Sequence, residues 1–407
     1  MAKKAPPRSR TKIVDDGESA TMMMPALLSD EARSKAKLND LVIELVARSA
    51  GFRRGLPEGL VSPLAELVRV MNCYYSNLIE GHDTHPIAIE RAMRKNYDRD
   101  PKKRDLQKEA EAHIAVQRWI DGGALAGRST TFNAIREIHQ RFCEALPDDL
   151  LWVQVPGTPE RVRVAPGELR QSFVEVGNHL AISPGAVPRF MREFEQAYSK
   201  LGRADTILSA AAAHHRLLWI HPYLDGNGRV ARLMSHATLL DALDTGAIWS
   251  VARGLARSVS DYKGHLQACD LTRRNDYDGR GHLSEETLSE FTAFFLQVCI
   301  DQVSFMEQLT EPGQLRARII GWAEDETRVG ALPARAGQVL EAILYRGELP
   351  RGEVPKLLQL NERQAQRIMA ALSDRHVVTS RSSRTPWRLA FPATLAHRWM
   401  PGLFPPE

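Results

Sequence analysis

A mainly α-helical protein built from more than one unit is what this sequence predicts, on three observations. The chain has 407 residues, more than an ordinary single domain holds. Long stretches rich in Ala, Leu, Glu and Arg repeat their apolar residues every three or four positions, and alternating β-branched runs are scarce. Gly and Pro clusters cut these stretches into helix-length pieces. A net charge of +4 permits a nucleotide or nucleic-acid partner without requiring one. The four cysteines lie far apart with no Cys-x-x-Cys pairing, which predicts a reduced, intracellular protein. No apolar run approaches the roughly 20 residues that cross a bilayer, and the basic N-terminus has no apolar signal core behind it. The expectation is a soluble cytoplasmic protein with no membrane partner.

In chain order, residues 1–24 open with Lys3, Lys4, Arg8, Arg10 and Lys12 among prolines and small polar residues, and are expected to be a disordered tail. A helical N-terminal region then spans 25–110. Its first helix follows Ser29 and is closed by Gly55 and Pro57. A second is expected from Pro63, acceptable in a first turn, and stops at Gly81, a natural terminator. Glu80 then leaves the last turn, where the helix dipole disfavours an anion, so it calls for a cation or for water. Thr84 is the expected cap of the next helix.

Two helices near 105–120 and 131–145 are separated by Asp121-Gly122-Gly123, and a core is expected over 111–310. Within it, 152–155 and 161–164 read as short extended pieces. Residues 173–182 alternate around Gly177-Asn178, a hairpin signal. Helices resume over 187–201 and 204–220, the latter carrying Ala210, Ala211, Ala212 and Ala213, which let neighbouring helices come close, and again over 230–243, 260–272 and 285–309. Glu311-Pro312-Gly313 is a candidate linker, with a linker helix through 330. Residues 331–400 show three short helical patterns and then a hairpin, the order of a winged helix-turn-helix. They hold eleven Arg and Lys against five Asp and Glu, an excess of six positive charges.

The chemistry concentrates in residues 221–232, His-Pro-Tyr-Leu-Asp-Gly-Asn-Gly-Arg-Val-Ala-Arg. A helix starting after Gly226-Asn227-Gly228 offers unpaired N–H groups at its positive end, and the glycines let a phosphate approach them. Arg229 and Arg232, three apart, can both reach a polyphosphate. Asp225 is the loop's one carboxylate, and one carboxylate with phosphate oxygens and water suits Mg²⁺. His221 can take a proton from a hydroxyl near neutral pH. A lone His is more often structural and a lone Gly-Asn-Gly more often a turn; the convergence of these residue types points to attack by a protein hydroxyl on a nucleotide phosphate.

This stretch resembles the signature of the Fic (filamentation induced by cAMP) family, His-Pro-Phe-x-(Asp/Glu)-Gly-Asn-(Gly/Lys)-Arg-x-x-Arg. It matches every fixed position except that Tyr223 replaces Phe, which keeps the ring and adds a hydroxyl in need of a partner. The resemblance implies a helical Fic core that transfers AMP from ATP to a Ser, Thr or Tyr hydroxyl of a target protein or of itself. It makes His221 the general base, Asp225 the ligand of Mg²⁺ (or Mn²⁺), Gly226, Asn227 and Gly228 the anion hole, and Arg229 and Arg232 the holders of the outer phosphates. The glycine at 228, where some relatives carry Lys, favours AMP transfer.

Ser76-x-x-x-Glu80-Gly81 is similar to the inhibitory motif of the N-terminally self-inhibited class, which implies that Glu80 pairs with Arg232 in the space of the γ-phosphate. Ser76 either bonds back to its helix or is a small exposed residue. The hairpin at 173–182 stands where the family's target-docking flap does, and Tyr262 is either an adenine contact or a packed surface aromatic. In the C-terminal unit Asn361 can cap a helix whose Arg363, Gln364 and Arg367 could read base edges, while Arg381, Arg384 and Arg388 meet phosphates from the wing. DNA and a second copy of the chain are therefore candidate partners beside the target protein. Two alternatives stay open: a Glu80-dependent enzyme that removes AMP, alone or alongside transfer, and a DNA-binding regulator whose Fic core senses nucleotide.

Overall fold

The computed structural model of the protein describes residues 13–154 and 159–405. It is mainly helical with three small antiparallel hairpins, as the sequence predicts. The helices are α1 (Lys35–Gly55), α2 (Glu58–Ile79), α3 (Pro86–Met93), α4 (Pro101–Trp119), α5 (Phe132–Glu144), α6 (Val187–Tyr198), α7 (Arg203–Ile220) and α8 (Asn227–Leu243). They continue with α9 (Val251–Arg257), α10 (Val259–Cys269), α11 (Glu285–Leu309), α12 (Pro312–Arg328), α13 (Ala336–Arg346), α14 (Val354–Leu358), α15 (Glu362–Asp374) and α16 (Ala396–Trp399). Strands β1 (Trp152–Gln154) and β2 (Arg161–Arg163) pair with Val153 opposite Val162; Val155 lies outside the described residues. β3 (Glu175–Val176) and β4 (His179–Leu180) form the hairpin expected around Gly177-Asn178.

At the centre α7 lies along α8, with α11, α6 and α1 around α7. The alanines from Ala210 to Ala213 are at most 3% exposed, so the tetrad sits at the close approach that its small side chains allow. α2 runs beside this centre, buried along one face by Leu60, Leu64, Leu67, Val68, Met71 and Tyr75. No helix among the described residues is long and apolar enough to cross a membrane, and all four cysteines are free and buried.

Several expectations are corrected. Residues 13–24 are not loose: Gly185 donates its N–H to the Val14 carbonyl at 2.7 Å, and Glu18 accepts from the Ser183 N–H and hydroxyl, each at 2.6 Å. Met23 is fully buried, so the methionine run supplies the apolar surface that the charged tail lacks; residues 1–12 lie outside the described residues. α2 begins at Glu58, after Pro57, and carries Pro63 inside it rather than in its first turn, because its apolar face already starts at Leu60. The cap of α3 is His85, whose Nδ1 accepts from Ile87, and not Thr84. Glu311-Pro312-Gly313 is a tight joint: the Glu311 carboxylate accepts from the Gly313 and Gln314 N–H groups at 3.0 and 2.7 Å, starting α12 with only two residues between it and the end of α11. α9 escaped the sequence reading because Gly254 interrupts its pattern; a side chain there would strike Val298.

Residues 336–389 place α13, α14 and α15 ahead of a hairpin, β5 (Val378–Thr379) with β6 (Arg388–Leu389), and Leu349 bridges Trp387 beside it. This unit abuts the start of α2, where Gly59 meets the backbone of Gly347. The chain then returns to the C-terminal part of α2. The Tyr75 hydroxyl donates to the Leu403 carbonyl at 2.9 Å, and Arg253, stacked 3.6 Å over Phe305, donates to the Gly402 carbonyl at 2.7 Å. A side chain at residue 59 would have to displace main chain, so Gly59→Val should destabilise the fold by about 1–3 kcal/mol, the usual cost of overpacking. A lower urea midpoint than wild type checks this, and an unchanged midpoint would contradict the contact.

Candidate active site

α7 delivers its last turn to His221, which caps the helix in the left-handed region at φ 51°. Pro222 disfavours continued helix at the residue before it. Arg170, which the sequence reading missed, locks the turn from below. Its Nε donates to the His221 carbonyl at 2.8 Å, its Nη2 to the Ile182 carbonyl at 2.6 Å, and its backbone N–H to the Pro222 carbonyl at 3.0 Å. Burial pulls this guanidinium down to about 10. Asn227 closes the loop with its side chain, accepting from the Tyr223 N–H at 2.9 Å and donating to the Tyr223 carbonyl at 2.8 Å. That leaves its backbone N–H for an anion.

Tyr223 is fully buried and stacks on His139 at 3.8 Å with 3° between the planes. Its added hydroxyl finds no hydrogen-bond partner among the described residues. His139 accepts the Gly167 N–H on Nδ1 at 2.9 Å, and burial holds it down to about 4, so it stays neutral under the loop.

Gly226, at φ 82°, opens α8. Arg232 emerges from its second turn, 4% exposed, and meets the end of α2. Its Nε donates to the Ser76 hydroxyl at 2.8 Å, and Nη2 donates to the Ser76 carbonyl at 3.2 Å and forms an ion pair with Glu80. Burial alone would raise the Glu80 carboxyl; the charges of Arg232 and Arg229 overcome it and hold Glu80 below the usual carboxylate range. Glu80 lies directly over Gly228, where any Cβ would strike its carboxylate oxygen. Gly81, at φ 86°, ends the helix. Ser76 is neither exposed nor bonded back to its own helix: it is 1% exposed and serves Arg232.

The two motif arginines diverge. Arg229, 7% exposed, forms an ion pair with Glu109 of α4 and lies 5.3 Å over the ring of Phe142. Glu109 also accepts from His82, at 3.1 and 3.2 Å. Neither Glu109 nor His82 stood out in the sequence, because nothing local marks a carboxylate one face of a helix away from its partner.

The His221 Nδ1 lies 3.2 Å from the Leu218 carbonyl, which can only accept. Nδ1 therefore carries the proton and Nε2 is left to take one. Burial lowers this imidazole to about 4, so it is neutral at pH 7. A cavity of about 440 Å³ joins His221 to Glu80, Gly228 and Arg232, with Val176 and His179 of the hairpin at one wall and Tyr262 and Gln267 of α10 at another. The hairpin is fixed there by a 2.8 Å contact between the His179 Nε2 and the Trp219 carbonyl. Tyr262 is not a surface aromatic: it is 2% exposed, with its hydroxyl 2.7 Å from the His214 Nε2.

Asp225 is exposed beside this cavity. Among the described residues no group of three His, Cys, Asp or Glu could hold a metal. A single exposed carboxylate fits a cation whose remaining ligands come from a bound anion and water. A larger cavity, about 990 Å³, lies between α2, the end of α8 and the C-terminal unit and contains no motif residue. In that unit Arg363, Arg367, Arg381 and Arg384 are exposed. Gln364 is exposed too, but its side-chain oxygen accepts from the Asn361 N–H in a capping box, and Arg388 is paired with Glu348 at 2.8 Å instead of standing free on the wing.

Residues 129–239 match the model of the Fic/DOC family. Over 171 residues, 42% of this chain and 32% of the relative, the sequence is 27% identical to the Protein adenylyltransferase Fic of Drosophila erecta. The same figures hold for that of Drosophila melanogaster. The chain thus spans about a third of the length of the curated relatives it matches. Among solved structures, a Fic family protein from Desulfovibrio desulfuricans G20 gives a TM-score of 0.49 at 16% identity, over 86% of this chain and 96% of that one. The loop of His221, the glycine turn and both arginines lie within the stretch, residues 129–239, that matches the Fic/DOC family model.

Proposed function

We propose that the protein transfers AMP from ATP to a hydroxyl side chain of a target protein or of itself, and that Glu80 holds this activity back. The observation that carries the proposal is Arg232, gripped by Glu80 and Ser76 over Gly228 in the same cavity as a neutral His221. In the reaction, the His221 Nε2 takes the proton of the target hydroxyl as its oxygen bonds to the α-phosphorus. The bond from that phosphorus to the β-phosphate bridge breaks, and pyrophosphate leaves. The N–H groups at the start of α8 receive the phosphate charge, and Arg232 takes the outer phosphates once Glu80 has left it. Asp225 would hold a magnesium ion, which neutralises phosphate charge. The hairpin β3–β4, with Val176 and Leu180 exposed, would pair with an extended segment of the target and bring its hydroxyl to His221.

A second reading is favoured by the shared cavity. Glu80 and His221 both line it, and the Glu80 side chain is a third exposed, so the same carboxylate can aim a water at a protein-bound AMP. For residues 331–400 we propose a winged helix-turn-helix that binds DNA, which the exposed Arg363, Arg367 and Arg384 support; a regulator using the Fic core as a nucleotide sensor would rest on this unit. The N-terminal helices would carry the brake, and α12 would join the core to the winged helix.

Intact-mass measurement after incubation with ATP and Mg²⁺ or Mn²⁺ tests the transfer. Glu80→Gly should gain AMP at least about fivefold faster than wild type, the lower end of ordinary coupling free energies. His221→Ala in that background should lose about 10²-fold or more, the usual contribution of a general base. No AMP on Glu80→Gly under either metal would sink the transferase reading, and loss of AMP removal in Glu80→Gly would establish the second. The pH profile follows from His221: with its pKa at about 4, the rate of Glu80→Gly should stay level from pH 8 to below 6 and fall only as pH drops towards that value. A fall centred near 6.5 would mean an imidazole not desolvated as described. For the C-terminal unit, Arg367→Ala should weaken binding to its DNA site by about 1–3 kcal/mol in a salt titration, and salt-insensitive binding would exclude the phosphate contacts.

A further inference from the structure

We propose that Glu109 is a positioning residue for the brake, holding Glu80 on Arg232 from a different helix; this rests on the reading of Glu80 as inhibitory. The carboxylate of Glu109 is 4% exposed on α4 and engages two other elements at once. One partner is Arg229, on α8 three residues before Arg232; the other is His82, two residues after Glu80. Arg229 also lies 3.2 Å from the His82 Nδ1. The turn that carries Glu80 is thus tied on one side through Glu80 to Arg232, and on the other through His82 and Glu109 to Arg229.

Electrostatics gives the direction of the effect. Arg229 is buried, and its Nε has no partner among the described residues. Its charge already acts on Glu80, together with those of Arg232 and His82. While Glu109 is ionised it satisfies Arg229, and Glu80 is left to Arg232. Without that charge Arg229 is a buried cation with no counterion, which is costly, and the nearby carboxylate that can answer it is Glu80. The same loss removes the acceptor that tethers His82. Both consequences draw Glu80 away from Arg232 and open the outer-phosphate seat. A plain structural ion pair predicts only lower stability when broken.

The test compares initial rates of AMP incorporation at saturating ATP for wild type, Glu80→Gly, Glu109→Gln and the double variant. The expected result is a gain of about fivefold or more for Glu109→Gln over wild type, within the range of ordinary coupling energies, and no further gain when it is added to Glu80→Gly. Glu109→Asp, which keeps the charge, should return most of the restraint. A wild-type rate in Glu109→Gln, or an equal change in both backgrounds, would overturn the proposal. If Glu80→Gly itself brings no gain, the brake reading fails and this inference with it, an outcome recognisable from that variant alone. Should Glu109→Gln melt far below wild type, His82→Gln decides. Its side chain is 40% exposed, and it should give a smaller gain in the same direction; no gain from a folded His82→Gln would refute the tether.

Discussion

The molecule is arranged around a guanidinium that cannot be left alone. Arg232 is almost wholly removed from water in the second turn of α8, and a buried cation without an answering group costs several kcal/mol. The last turn of α2 supplies that answer through a hydroxyl, a carbonyl and a carboxylate. The position of α2 therefore matters to the site, and much of the chain fixes it. The C-terminal unit abuts its start at Gly59, the final described residues cover it at Tyr74 and Tyr75 just before its last turn, and α4 lies along it. Parts of the protein far from His221 in sequence thus bear on the Arg232–Glu80 contact that lines its cavity.

Two titratable groups in that cavity are driven in opposite directions by the same surroundings. Burial strips His221 of its proton, and the opposing pull of the Glu80 carboxylate is too small to keep the imidazolium. Burial also works against the charge of Glu80, but there the arginines prevail. A neutral base and an ionised carboxylate side by side at pH 7 form a division of roles of the kind that acid–base sites use. Under the proposed restraint, neither group needs to change protonation for the site to become active; only the partner of Arg232 has to change.

Much of this could be read in the sequence where the signal is local. The glycine turn, the two central helices, the hairpin at Gly177-Asn178 and the stop at Gly81 each follow from neighbours within a few residues, and the structure has them where expected. The pairing of Glu80 with Arg232 was legible only through a motif resemblance, because 152 residues separate the partners. Arg170, His139, Glu109 and His82 were not legible at all: each acts across helices whose faces a single sequence does not register. Residues 13–24 misled for a related reason. Their composition reads as solvated, yet the fold offers Met23 a buried site and gives Arg189 the Glu18 carbonyl at 2.8 Å.

Gly228 has a consequence for how such a protein can vary. The bare Cα at the start of α8 leaves the space in which the Glu80 carboxylate rests, the place where a phosphate could also reach the helix N-terminus. Under the proposed function, substrate and inhibitor would be admitted by one missing side chain. A methyl group there would overlap the present position of the Glu80 carboxylate oxygen, so the two compete for the same space. Under the proposed restraint, its strength can be graded by residues that touch α2 and its final turn, where the glycine is spared and the grip on Arg232 can change by degrees.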